Sequence, residues 1–100
     1  MKIHFPTIQE ITKEVKDYRD YLKSFNPEEI TEGEFCGGDI RLQIFDGDWT
    51  IHTGDVQYDQ DHRGFWGASC VSVESTNRAC REIAKDLINE AKDCYFQEKN

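Results

Sequence analysis

The chain has 100 residues, of which 37% are hydrophobic, and its 20 acidic and 12 basic side chains give a net charge of −8. This length and composition predict one folded domain with a single modest core and argue against a disordered chain. No window approaches the roughly 18 consecutive apolar residues of a membrane-spanning helix, and the first residues lack the pattern of a signal peptide. We therefore expect a cytoplasmic protein without membrane association, whose cysteines are free thiols.

The first predicted element is an amphipathic helix over about residues 8–25. Thr7 and Glu10 have the spacing of a capping box, in which each side chain bonds the backbone amide of the other residue. Apolar residues then recur at helical spacing and form one stripe on a charged helix: Ile8, Ile11, Val15, Tyr18 and Leu22. A turn-rich loop is expected over residues 26–38.

Three strands are predicted next, over about residues 39–45, 49–54 and 65–73. Hydrophobic and polar side chains alternate through the first two, which gives each strand one apolar face. Asp46 and Gly47 separate these two runs, and an Asp-Gly pair in this position is a strong signal for a hairpin.

A closing helix is predicted over about residues 76–97, with Ser75 or Thr76 as its N-cap. The small side chains of Ala68 and Cys70 in the third strand are expected to let a helix approach the sheet. The order of helix, three strands and helix predicts one α+β domain spanning the chain. Both helices are expected to pack on one face of a three-stranded antiparallel sheet.

The segment Tyr58–Gly67, with the sequence YDQDHRGFWG, concentrates aspartate, histidine, arginine and aromatic side chains. Two imidazoles and a carboxylate suit zinc or iron, whereas clustered carboxylates suit calcium or magnesium. The candidate metal ligands are His52, Asp59, Asp61 and His62. Their spacing matches no dedicated metal motif, and aspartates such as Asp59 and Asp61 are typical of Asx-turns that shape a loop. We prefer the structural interpretation and expect no resident metal and no cofactor.

Catalysis is not expected either. A general base needs a hydrogen-bonded partner and a pocket that shifts its pKa, and a small domain with one helix-covered sheet offers little concavity for a substrate.

The acidic charge is concentrated in one third of the chain. Residues 26–63 carry ten acids and two arginines, a net charge of −8. Such a surface repels phosphate, so direct nucleic-acid binding is not expected, but it attracts a basic patch on another protein. The alternative is that the charge only maintains solubility. The partner-binding candidates are Asp46, Asp48, Asp55, Asp59, Asp61, Tyr58 and Trp66, with Phe45 and Trp49 as further aromatic anchors.

The stretch YDQDHRGFWG resembles one carried by small bacterial and phage proteins of no established activity, over roughly residues 39–95. The size, acidity and element order are similar to those of acidic anti-CRISPR proteins, and the order alone to that of double-stranded-RNA-binding domains. The resemblance to the small bacterial and phage proteins implies no catalytic residue. The resemblance to acidic anti-CRISPR proteins implies a phage-type inhibitor that engages a basic protein.

The leading hypothesis is a small protein-binding module without enzymatic activity, monomeric or weakly dimeric, in its most specific form an inhibitor or nucleic-acid-mimicking decoy. One alternative is a metal-binding protein that uses the region of His52, Asp59, Asp61 and His62. The other is an adaptor or subunit whose charge only gives solubility.

Overall fold

The computed structural model describes residues 5–24, 37–54 and 64–99. In these ranges the elements follow in the order α1 (Ile8–Lys23), β1 (Gly37–Phe45), β2 (Asp48–Thr53), β3 (Phe65–Ser72) and α2 (Asn77–Lys99). The predicted fold class is confirmed, because a helix, three antiparallel strands and a second helix form one compact α+β domain.

The start of α1 follows the predicted capping box. The hydroxyl of Thr7 accepts a hydrogen bond from the Glu10 amide (3.1 Å), and the Glu10 carboxylate accepts one from the Thr7 amide (3.0 Å). The predicted apolar stripe is buried at Ile11, Val15, Tyr18 and Leu22. Ile8, placed in the same stripe, is instead 37% exposed, because it lines an open groove between α1 and the start of α2.

The sheet has the order β2-β1-β3, and both pairings are antiparallel. The predicted hairpin is confirmed, since Phe45 pairs with Asp48 across Asp46 and Gly47. Both turn residues have positive φ, 57° and 80°, as a type I′ turn requires. Because β1 lies in the centre, β2 and β3 run parallel to each other on its two sides.

The two faces of the sheet have different roles. Ile40, Leu42 and Ile44 of β1 are at most 1% exposed and form the core with apolar residues of both helices. Burying each such side chain stabilises the fold by about 1.5–3 kcal/mol. Side chains alternate along a strand, so the alternate residues of β1 and their partners on β2 and β3 lie on the opposite face. We call this the outer face; it carries Asp39, Arg41, Gln43, Phe45, Asp48, Thr50, His52, Trp66, Ala68 and Cys70.

The prediction that Ala68 and Cys70 let a helix approach is wrong, since both are exposed on the outer face. The close approach occurs at Gly67, where an added Cβ would lie 2.1 Å from the Leu87 carbonyl oxygen of α2. The pairing of Gly67 with Leu42 explains the difference, because it turns the odd-numbered positions of β3 toward the helices.

The connection between the two helices depends on a buried arginine that the sequence analysis missed. Arg19 of α1 is 9% exposed and donates hydrogen bonds to the Ser75 carbonyl (3.0 Å) and to the Asn77 side-chain oxygen (2.7 Å). The N-cap of α2 is Thr76, whose hydroxyl accepts a bond from the Ala79 amide (3.1 Å). Arg19 thus joins the middle of α1 to the first turn of α2.

Candidate protein-binding surface

The tip of the β1–β2 hairpin combines an aromatic ring with two carboxylates. Phe45 ends β1 with 42% of its surface exposed, and Asp46 and Asp48 beside it are both exposed. The Asp48 carboxylate accepts a hydrogen bond from the Trp49 amide (2.8 Å), which holds its charge at the start of β2. The tip therefore presents an apolar group flanked by ordered negative charge.

The middle of the outer face is a polar and aromatic cluster. The rings of His52 and Trp66 lie 5.1 Å apart between centroids with a tilt of 30°. His52 Nε2 lies 2.8 Å from Gln43 Oε1, and it donates this bond because the amide oxygen can only accept. Gln43 is 8% exposed. Gln43 was not among the predicted site residues, and its place in the alternating pattern of β1 was the available signal.

The far end of the outer face contains a thiol that is hydrogen-bonded to a carboxylate. Cys70 Sγ donates a hydrogen bond to Asp39 Oδ1 (3.2 Å). This bond, followed by desolvation, raises the pKa of Cys70 above its ordinary value. A raised pKa opposes formation of the nucleophilic thiolate, so the geometry does not favour covalent chemistry at this position.

Three of the predicted partner-binding residues lie in the described part of the chain. Asp46 and Asp48 occupy the hairpin tip, and the half-buried Trp66 lies on the outer face. Trp49 is not an anchor of the outer face: it pairs with Ile44, so its half-buried side chain lies on the helix-facing side and packs against the core. The remaining candidates lie outside the described residues: Asp55, Tyr58, Asp59 and Asp61.

The metal prediction is only partly covered by the described residues. His52 contacts Gln43 and Trp66, whereas Asp59, Asp61 and His62 lie outside the described ranges. Within those ranges no group of three or more histidine, cysteine or acidic side chains could hold a metal ion.

A groove of about 890 Å³ lies between α1 and the start of α2. Its wall carries charges of both signs, including Glu10, Lys13, Asp17 and Arg81. Arg19, the buried charge in this wall, is already bonded to the start of α2. The groove thus has no uniform field that would select a charged ligand.

Helices long and apolar enough to cross a membrane are absent from the described part of the chain. Comparison with protein-family models, curated proteins and solved structures finds no match to this chain. The functional assignment therefore depends on the geometry and charge of the molecule itself.

Proposed function

We propose that the protein is a cytoplasmic binding module without enzymatic activity, which engages a basic surface of another protein. The observation that carries the proposal is the hairpin tip, where the exposed Phe45 is flanked by Asp46 and Asp48. Aromatic side chains are frequent energetic anchors of protein interfaces, and surrounding carboxylates attract and orient a basic partner.

The chain's charge supports the same partner class. The net charge is −8, and the excess lies in the third of the sequence that contains the hairpin. A field of this sign accelerates encounter with a basic protein and weakens as ionic strength rises. Basic patches that hold DNA or RNA are a large class of such surfaces, so an inhibitor or decoy that occupies one is the most specific form of the proposal.

The test compares two variants with the same net charge. Asp46→Asn with Asp48→Asn removes both hairpin charges, yet asparagine tolerates the positive φ of position 46 and keeps an oxygen for the Trp49 amide. The matched control removes the exposed charges of Asp86 and Asp93 on α2. Each chain, tagged and immobilised, is used to capture proteins from a lysate of the source cells.

A basic protein held by the wild type and the α2 variant, but lost by the hairpin variant and by Phe45→Ala, supports the proposal. Equal retention by all variants, or failure of the wild type to retain a basic protein, contradicts it and leaves solubility as the role of the charge. A melting temperature lowered by EDTA would favour the metal-binding alternative.

A further inference from the structure

The hydrogen-bond pattern shows which backbone groups of β2 point away from the sheet. The Gly54 amide donates to the Asp39 carbonyl (2.9 Å), so these residues form a hydrogen-bonded pair in the β1–β2 register. Such pairs alternate along an antiparallel ladder. The amides and carbonyls of Trp49, Ile51 and Thr53 therefore face the outer edge of β2.

At the opposite edge of the sheet, side chains bond the outward groups of β3. The Ala68 amide donates to the Glu90 carboxylate of α2 (3.3 Å), and Cys94 Sγ donates to the Trp66 carbonyl (3.6 Å). The Ser72 amide donates to the Ser75 hydroxyl (3.2 Å). Other parts of the chain therefore occupy this edge at Trp66, Ala68 and Ser72.

The edge of β2 is not closed in this way. Asp48 accepts the bond of the Trp49 amide, but the outward groups of Ile51 and Thr53 have no partner in the described part of the chain. The backbones of both helices lie against β1 and β3 rather than against β2. An edge with open donors and acceptors is a template for another strand, and proteins commonly bind extended peptides this way.

We propose that the edge of β2 binds an extended, basic segment of the partner protein as a fourth strand. The inference rests on the proposed function and specifies how the partner is held. Charge selects the occupant: Asp46 and Asp48 lie at one end of the edge, and β2 (DWTIHT) has no lysine or arginine to repel a basic chain. A second copy of this chain fits poorly, because each copy carries a net charge of −8 and the two would repel each other.

The two faces of β2 also define the sequence of the bound segment. Side chains of an added strand alternate between the faces of the sheet. On the outer face they meet Asp48, Thr50 and His52, and on the other face they meet the half-buried Trp49 and Ile51. The segment that fits alternates basic residues with apolar ones.

The test uses a short fluorescent peptide of alternating lysine and valine, measured by fluorescence anisotropy. One control peptide segregates the same lysines and valines into two blocks, and another alternates glutamate with valine. Thr53→Pro removes one outward amide without removing a bond to β1 and is expected to weaken binding about tenfold. Thr50→Lys, which keeps the backbone intact, is expected to weaken it through like-charge repulsion and serves if the proline variant does not fold.

Residue-resolved hydrogen exchange provides the second readout. Slower exchange of the Ile51 and Thr53 amides with saturating peptide, together with weaker binding by the variants, supports the inference. It is overturned if the alternating peptide does not bind, if the segregated peptide binds equally, or if those amides exchange unchanged. Protection of the same amides in a dimer of the free protein would also overturn it.

The two proposals fail separately. Loss of the captured basic protein from the hairpin variant, with no protection of the β2 amides, leaves the binding function intact and removes only strand addition. Capture of no basic protein by the wild type removes the binding function itself.

Discussion

Replacing Gly67 by alanine adds one methyl group at the closest approach between β3 and α2. The new Cβ would lie 2.1 Å from the Leu87 carbonyl oxygen and 3.0 Å from its carbonyl carbon. These atoms belong to the helix backbone, so no side-chain rotation relieves the overlap. Since ordinary contact begins at 3.4 Å, α2 has to withdraw locally by about 1.3 Å.

The expected cost follows from that displacement. Gaps of 0.5–1 Å already forfeit about a quarter to a half of the dispersion energy between facing atoms, and overpacking a core typically costs about 1–3 kcal/mol. A rigid helix backbone places this variant at the upper end, so we expect the free energy of unfolding to fall by about 2–3 kcal/mol. For a domain of this size that corresponds to a melting temperature lower by roughly 10–20 °C.

Thermal and urea unfolding, followed by circular dichroism, measure this loss. The control is Gly54→Ala, because Gly54 has a φ of +83° but no atom within 4 Å of an added Cβ. It reports the cost of the backbone conformation alone, about 1 kcal/mol. A Gly67→Ala protein within 1 kcal/mol of the wild type would refute the close approach.

Two further predictions concern a buried arginine and alkaline stability. Arg19→Met should lower the free energy of unfolding by about 2–3 kcal/mol, since the Asn77 oxygen loses its donor. Arg19→Lys should recover only part of that stability, because an ammonium lacks the planar fork of a guanidinium. Wild-type stability in Arg19→Met would contradict this role. Burial raises the pKa of Tyr18, and the hydrogen bond to Asp39 raises that of Cys70. Folding therefore favours the neutral forms of both side chains. Their contribution to the free energy of unfolding is fully present below pH 9.0, the ordinary pKa of a thiol, and is lost as pH rises through the pKa values of the folded protein. Urea titrations across alkaline pH should show a shallower loss for Tyr18→Phe and Cys70→Ser, and an unchanged slope would exclude these groups as its source.

Features that depend on neighbours in the chain were predictable. The capping box of Thr7 and Glu10 and the turn at Asp46 and Gly47 each involve residues at most three positions apart. The alternation in β1 and β2 likewise predicted which side chains share a face, because a strand has a fixed period of two. The acidic hairpin could thus be identified as a candidate partner surface before its geometry was known.

Features that depend on distant pairing could not be derived in the same way. The central position of β1 and the helix-facing parity of β3 follow from the register between Leu42 and Gly67, which local alternation does not specify. Arg19 is a polar residue within a charged helix, and its burial results from docking against the start of α2, 58 positions away at Asn77.

The sequence alone determined the elements, their order and the strong acidity, since propensity, capping and charge are properties of residues and their near neighbours. Only the tertiary structure decided which edge of the sheet α2 lies against. Glu90 and Cys94 bond the outward groups of Ala68 and Trp66 because α2 returns alongside β3, and the partners of a backbone group depend on which distant segment folds against it.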